Sequence, residues 1–536
     1  MPINPSPSAS VSAFVTLTGV AARTPDGSTL FDNLTLAFGA ERTGVVGRNG
    51  VGKSTLLRLI SGASPPSEGT VARVGRIGVL EQRYDPAPEE TVAGALGVER
   101  ALEVVDRVVS GQGAIEDMDV VDWTLEARVA DVLEAVKLAG VDLKRPMIGL
   151  SGGEQTRVRL GRLLLDGSDM ILLDEPTNHL DREARTLVAE ILGRWRGGAV
   201  VVSHDRELLR HMDRIVEISS LGVEVYGGNY DLYAKRKAVQ REAAERGLIE
   251  AEKDVARAGA DAQRRLQSKA RRDAAGRRKA AKGDMPKILL GARAERAENT
   301  GAANSLLAGR KTQAAAAALS VARERVERTR SLSFQTPSSR LVSGRTVLAL
   351  DAVSWRTSQG RTLVGPLTLR IVGPERLAVT GANGTGKTTL LRLIAGELEP
   401  TSGRIERPVP AAYLDQETTL LRANETVLEA WLRLNPAGAE HDAQAALAHF
   451  LFRNSAAHRR VGALSGGERL RAALACVMTG ATPPMLMVLD EPTNHLDLDA
   501  VAALETALRD YDGALVLVSH DPDFLRAVGV TRTIAL

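Results

Sequence analysis

Two glycine-rich loops, each closing on a lysine and a hydroxyl, are the stretches of this chain best suited to chemistry: Gly47-Arg48-Asn49-Gly50-Val51-Gly52-Lys53-Ser54 and Gly381-Ala382-Asn383-Gly384-Thr385-Gly386-Lys387-Thr388. In such a loop the glycines let backbone amides curl around phosphate oxygens at the start of a helix. Lys53 and Lys387 would then reach the terminal phosphates, and Ser54 and Thr388 would ligate Mg²⁺. Thr55 and Thr389 follow directly as further hydroxyls beside the phosphates. Behind each loop comes an Asp-Glu pair, Asp174-Glu175 and Asp490-Glu491, at the end of an apolar run. The aspartate is placed to hold Mg²⁺, directly or through water, and the glutamate to orient and polarise an attacking water. Two further motifs repeat in order, Leu150-Ser151-Gly152-Gly153-Glu154 with Ser203-His204-Asp205, and Leu464-Ser465-Gly466-Gly467-Glu468 with Ser519-His520-Asp521. The copies are offset by 334 residues at the lysine, 314 at the serine-glycine motif and 316 at both later motifs. One module therefore occurs twice, and each copy hydrolyses or at least binds a nucleoside triphosphate.

The elements that must position these groups are legible as continuous apolar runs. Thr43–Val46 and Leu377–Thr380 lead into the glycine loops, Met170–Leu173 and Leu486–Leu489 into the Asp-Glu pairs, and Val200–Val202 and Leu515–Val518 into the Ser-His-Asp triplets. Phe14–Leu17 and Val347–Leu350 are strand-like starts of the two modules. Apolar runs with chemistry at their C-terminal ends predict central strands of a buried parallel sheet, with the ligand at the strand tips. The fold class is α/β. Lysine and serine-glycine motif lie 98 residues apart in the first copy and 78 in the second, so about 20 extra residues fall within Pro86–Arg145.

At 536 residues the chain has room for two or three domains, each with its own core. No apolar run reaches the length of about 18 residues that a membrane helix needs. Residues 1–10 are rich in Pro and Ser and read as a disordered tail, not as a secretion leader. The single cysteine, Cys476, leaves no internal disulfide and no Cys-rich metal site, and its apolar neighbours suggest a core thiol. A cytoplasmic protein fits these features. The net charge of +3 conceals an asymmetry, because residues 234–330 carry 25 Lys+Arg against 12 Asp+Glu and the remainder is acidic overall. That connector is rich in helix formers and breaks near Gly283-Asp284-Met285-Pro286. It predicts a hairpin of two long antiparallel helices, 232–282 and 292–330, with its tip at 283–291. Its apolar residues form no clean heptad. A basic segment of this kind reads as a solvated helix face unless something else gives it a polyanionic partner.

The motif set, with Gln82 and Gln416 ahead of the serine-glycine motifs, resembles that of the ATP-binding-cassette ATPases over about four-fifths of the chain. The resemblance implies two P-loop ABC-type nucleotide-binding domains that bind ATP and Mg²⁺ in composite sites. Ser151, Gly152 and Gly153 would cap the ATP held by Lys387. Ser465, Gly466 and Gly467 would cap the ATP held by Lys53. Catalysis would fall to Glu175 and Glu491 with His204 and His520 at the γ-phosphate. Gln82 and Gln416 would approach the metal ion or the attacking water. One departure is that no aromatic stands at the adenine-stacking positions near Thr24 and Thr357; Phe31 and Trp355 read as core residues.

Two modules in one chain, a charged helical connector, and Thr-Asn-His-Leu-Asp at 177–181 and 493–497 look like the ABC-F family. That family comprises translation factors and antibiotic-resistance ribosome-protection proteins. It implies a monomer whose linker enters the ribosomal exit-tRNA site toward the peptidyl tRNA, touching ribosomal RNA and tRNA. The domains would be 11–233 and 346–536, joined by a linker over 234–345. The alternative is the ATPase subunit of a transporter with separate membrane proteins, for which a long basic connector has no obvious use.

Overall fold

The computed structural model describes residues 13–24, 27–82, 84–178, 180–219, 222–280, 309–322, 337–480, 482–494 and 496–536. Its two compact units are Met1–Leu232 with Leu332–Leu536, which holds both modules, and Tyr233–Ser331. The first module contains β1 (Val15–Arg23), β2 (Thr29–Phe38), β3 (Arg42–Gly47), β4 (Glu68–Arg73), β5 (Ile77–Leu80), β6 (Met170–Asp174), β7 (Gly198–Val202), β8 (Arg214–Ser219) and β9 (Gly222–Gly227). The second contains β10 (Thr346–Arg356), β11 (Thr362–Val372), β12 (Arg376–Thr380), β13 (Ser402–Glu406), β14 (Ala411–Leu414), β15 (Leu486–Asp490), β16 (Ala514–Val518) and β17 (Arg532–Ala535).

Each module pairs a large sheet with a small one. The large sheets run β5-β6-β7-β3-β8-β9 and β14-β15-β16-β12-β17. Their strands are parallel, except that β9 is antiparallel to β8. The apolar runs that abut the motifs are the central strands, and β7, β15 and β16 are buried at every residue. Such runs follow from coverage on both faces. The strand-like starts of the modules instead join small antiparallel sheets, β2-β1-β4 and β11-β10-β13.

The helix after each glycine loop lies in the core between the two sheets. In the first module Leu56, Leu57 and Ile60 of helix Lys53–Ser61 pack with Val15, Leu17 and Phe38 on one side and Val45, Leu172 and Val200 on the other. Leu390, Leu391 and Ile394 of helix Lys387–Ala395 do the same in the second. On the opposite sheet face Met487, Leu489, Leu515 and Leu517 meet the helices Val427–Leu434, Gly466–Met478 and Leu498–Asp510. Successive strand residues thus serve two cores, as the alternation of a strand requires. Cys476 lies in this second core, where burial pushes its thiol up to about 12.

The extra residues of the first module form two helices. Between the bridges Thr91↔Pro146 and Thr426↔Arg460, the second module has Val427–Leu434 and Glu440–His449. The first has Val92–Leu96 and Leu125–Ala135, with Glu99–Val109 and Ile115–Val120 inserted between them.

One helix, Tyr230–Ala280, carries the first half of the connector; its 51 residues extend about 75 Å. Residues 309–322 are also helical. The expected tip, 283–291, and most of the second expected helix lie outside the described residues, as does the 1–10 tail. Half-buried positions recur with alternating spacings of three and four at Ala234, Lys237, Arg241, Ala244, Leu248, Ala251, Val255, Ala258 and Ala262, and again at Thr312, Ala315, Leu319 and Ala322. That spacing repeats every seven residues but is carried largely by alanine, with Lys237 and Arg241 among its positions, so the apolar residues still form no clean heptad. At the connector's far end Ser338 Oγ donates to Asp512 Oδ2 at 2.5 Å and Ser339 N–H to Oδ1 at 2.7 Å, which places 337–345 with the second module.

Candidate active site

Backbone geometry explains the glycines of the phosphate loops. Gly47 sits at φ 152°, where a Cβ would come within 2.3 Å of the Ile218 carbonyl oxygen. Gly52, at φ 105°, begins the helix in the left-handed region against the Phe31 ring. The loop therefore turns tightly at positions where a Cβ would collide. Lys53 and Lys387 lie buried along it. Lys53 Nζ donates to the carbonyls of Gly47 (2.7 Å) and Arg48 (3.2 Å), and Lys387 Nζ to those of Gly381 and Ala382 (both 2.8 Å). Burial lowers both lysine pKa values, against the attraction of Glu175 and Glu491 respectively.

The hydroxyls and aspartates meet as a metal site would need. Ser54 stands beside Asp174 and Thr388 beside Asp490, each hydroxyl favouring the ionised carboxylate. Burial raises both aspartates, and Asp174 Oδ1 is buried with no hydrogen-bond partner. Oxygen donors with one acceptor left open fit Mg²⁺, which takes the rest of its shell from phosphate and water. Thr55 and Thr389 are half-buried in the first turns of the same helices.

Glu175 and Glu491 occupy the left-handed region, at φ 49° and 46°. The Glu175 N–H donates to the Val202 carbonyl at 2.9 Å, and the Glu491 N–H to that of Val518 at 3.0 Å. Non-glycine residues are rare in that conformation and gather at functional sites. Each carboxyl lies 3.3 Å from the Nε2 of His204 or His520. The approach is close enough for an ion pair but not aligned as a hydrogen bond, because both His204 ring nitrogens, His520 Nε2 and both Glu491 oxygens lack partners. Burial pushes Glu175 up to about 8 and Glu491 to about 7, with Lys53 the main opposing charge at the first and Arg185 at the second. Burial also holds His204 well below its ordinary value and His520 at about 4. Each pair is thus a neutral imidazole beside a carboxyl of raised pKa. Buried polar atoms without partners point to groups that a ligand would supply.

Ser151 and Ser465 are N-caps of the helices Gly152–Leu165 and Gly466–Met478. Ser151 Oγ accepts the Glu154 N–H at 3.3 Å while Glu154 Oε2 accepts the Ser151 N–H at 2.8 Å, and Ser465 with Glu468 repeats the pattern. The spacing is a capping box, a signal present in the sequence but read there only as a motif. No side chain stands over Gly152, leaving the helix start open for an anion.

The modules face each other across these elements. A cavity of about 430 Å³ is lined by Asn49, Gln82, Glu175 and His204 from the first and by Ser465, Gly466 and Asn494 from the second. Gln82 also borders a second cavity of about 350 Å³ with Gly152, Asp174 and Glu175, whereas Gln416 is exposed beyond β14. The Asn49 N–H donates to Asp497 Oδ2 at 3.3 Å, and the Asn383 N–H to Asp181 Oδ2 at 3.4 Å. Each phosphate loop thus meets the aspartate that ends the other module's Thr-Asn-His-Leu-Asp. Sequence reading left both aspartates out of the site, since nothing local ties them to a loop hundreds of residues away. Phe31 is buried, and Trp355 packs against the second core. Thr24 and Thr357 sit in turns.

Two parallel-sheet modules, each with a phosphate loop, an Asp-Glu pair and a serine-capped helix, define a pair of ATP-binding cassettes. A family model described as ABC transporter matches residues 32–178 and 364–494. The chain is 35% identical to the tylosin resistance ATP-binding protein TlrC of Streptomyces fradiae, covering 96% of this chain and 95% of that one. It is 31% identical to the energy-dependent translational throttle protein EttA of Mycobacterium tuberculosis, over 92% of this chain and 87% of that one. Among solved structures the RNase-L inhibitor matches with a TM-score of 0.59 at 18% identity, covering 96% of this chain and 87% of that one, a likeness of fold. The chain belongs to the ABC-F family of twin-cassette ATP-binding proteins. Its ABC domains mark it, in general terms, as an ATP-hydrolysing protein.

Proposed function

We propose that this protein is a cytoplasmic ABC-F factor that hydrolyses ATP to ADP and phosphate at two intramolecular composite sites while bound to the ribosome as a monomer. The observation that carries the reading is a basic helix of 51 residues, Tyr230–Ala280, in a chain that also carries two cassettes. A relative named for a translational throttle and another named for tylosin resistance support the ribosome as partner. Ser54 with Asp174, and Thr388 with Asp490, would hold Mg²⁺, which neutralises phosphate charge when bound. The lysines bind the terminal phosphates, Glu175 and Glu491 orient water, and the serine-glycine helix starts close each site from the opposite cassette. His204 and His520, kept neutral by burial, donate toward the γ-phosphate. The linker lies along ribosomal RNA and tRNA near the exit site. Among the described residues no helix is long and apolar enough to cross a membrane.

The test is sedimentation with ribosomes. The Glu175→Gln, Glu491→Gln double variant with ATP should co-sediment, and binding should weaken as salt rises. Each phosphate neutralised contributes roughly 0.7–0.9 to the log–log salt slope. Reversing Arg264, Arg271, Arg272 and Arg278 to glutamate should flatten that slope by about three units while ribosome-free hydrolysis holds. Recovery of the trapped protein with membrane subunits, and never with ribosomes, would replace this reading with the transporter one.

A further inference from the structure

The 316-residue offset that relates the cassettes pairs Arg185 with Val501, and both side chains line the 430 Å³ cavity between them. Arg185 makes two contacts there. Its Nε donates to the Leu180 carbonyl at 3.0 Å, and its Nη1 lies 3.5 Å from Asp205 Oδ2, with both side chains largely buried.

Each contact leads to a different nucleotide site. Asp205 follows His204 and fixes that turn by accepting the N–H groups of Glu207 (2.9 Å) and Leu208 (3.2 Å) through Oδ1. Leu180 precedes Asp181, whose Oδ1 caps Ala184 at 3.0 Å and whose Oδ2 takes the Asn383 N–H in the second phosphate loop. A continuous path therefore runs from the His204 turn through Asp205, Arg185 and Asp181 to the loop that holds Lys387.

The mirror path is interrupted. Asp497 reaches Asn49 and caps Ala500, and Asp521 fixes the turn after His520 by accepting from Asp523 and Phe524. Between them stands buried, apolar Val501, whose side chain has no hydrogen-bonding group to offer either carboxylate. The charge opposing Asp521 comes instead from Arg206 of the first cassette.

We propose that Arg185 is a positioning residue that couples the two nucleotide sites through a single relay, joining the histidine turn of the first site to the phosphate loop of the second. The inference rests on the reading of both sites as ATP sites. Coupling of binding is reciprocal whichever site fills first, so the asymmetry lies in which residues carry it, not in its direction. The planar guanidinium meets two acceptors at a fixed angle, which a lysine ammonium on a flexible stem does not reproduce. Arg185 also lies near enough to oppose the raised pKa of Glu491, a charge that Val501 cannot supply to Glu175.

Calorimetric titration of Mg²⁺-ATP into the Glu175→Gln, Glu491→Gln background gives the two-site constants, and adding Lys53→Ala or Lys387→Ala gives each site alone. The product of the single-site Kd values over the product of the two-site values is the coupling factor, expected at roughly 5-fold or more. Arg185→Leu and Arg185→Lys should each bring that factor to within twofold of unity while single-site Kd values move less than twofold. A coupling factor unchanged in both variants overturns the relay. So does a loss of single-site affinity as large as the loss of coupling, which would make Arg185 a packing residue. Absence of ATP binding at the Lys387 site with Arg185 intact would instead overturn the nucleotide-site reading beneath it.

Discussion

The two cassettes match in their nucleotide motifs and in the loop–aspartate contacts between them, and differ in the ion pairs across their interface. Phosphate loops, Asp-Glu pairs and capped serines superpose in kind, down to the left-handed glutamates. The interface polarity does not. Arg206 Nη1 meets Glu505 Oε1 at 2.7 Å, and Arg210 Nη2 meets Asp523 Oδ2 at 2.5 Å, so the first cassette supplies the cations and the second the carboxylates. At the same offset Arg206 corresponds to Pro522 and Glu505 to Ala189. Arg526, the counterpart of Arg210, pairs with Asp523 inside its own cassette. A homodimer on a twofold axis must use one self-complementary patch twice. Fusion into a single chain removes that demand, and the halves of the interface are free to diverge while the chemistry, tied to the same ligand, is not.

The largest effect should come from chemistry the cassettes share. Replacing Glu175 and Glu491 together by Gln should lower ATP turnover by about 10²-fold or more, read as phosphate release, with ATP still bound. Single variants sharpen the comparison: equal residual rates from Glu175→Gln and Glu491→Gln would mean that the different charges around the two glutamates do not matter to turnover. Undiminished hydrolysis in the double variant would remove these residues from catalysis.

Next comes the interface. Glu505→Ala leaves the nearly buried Arg206 without its 2.7 Å partner and should weaken cassette association by about 3 kcal/mol. Spin labels placed on the two cassettes would report wider, broader distances in the ATP-free variant. Val501→Ala, which removes no charge, should leave the distances alone, and an equal change in both variants would deny the ionic contact its role.

Smaller again is the loss of a cap. Ser465→Ala removes an N-cap worth about 1 kcal/mol and one face of the site that holds Lys53. In the proposed composite arrangement Ser151→Ala would do the same opposite Lys387. In Glu491→Gln protein, where turnover at the first site predominates, the Ser465 change should reduce phosphate release and the Ser151 change should not. The reverse pattern would show that each serine serves its own cassette.

The smallest effect is a slope with pH. Burial raises the Glu175 pKa from 4.5 to about 8, so the fold favours the protonated carboxyl. That contribution to stability is complete below about pH 4.5 and is lost as pH rises through about 8. His204 works in the opposite direction, since its lowered pKa favours the fold once pH is above the ordinary value. Glu175→Gln removes only the first of these. The denaturation midpoint of the nucleotide-free variant, relative to the parent protein, should therefore climb between pH 5 and pH 8.5. A constant difference across that range would place Glu175 in a more solvated setting than its burial indicates.

Much of the molecule was settled by sequence because its physics is local. A glycine loop before Lys53 must turn where side chains would collide with Ile218 and Phe31, and a run such as Met170–Leu173 can be buried on both faces only in a covered parallel sheet. The Ser-x-x-Glu spacing of Ser151 and Glu154 is likewise a short-range signal, complete within one helical turn. What the tertiary structure decided is which distant groups meet. Asn49 and Asp497 lie 448 residues apart, and no periodicity joins them. The half-buried stripe of Tyr230–Ala280 runs largely through alanine, a residue whose own hydrophobicity gives little periodic signal. Arg185 and Val501 look interchangeable as members of one repeated helix; only the cavity they share, with Asp205 within reach of one and no carboxylate paired to the other, separates them, because an ion pair is a property of two positions brought together by the fold.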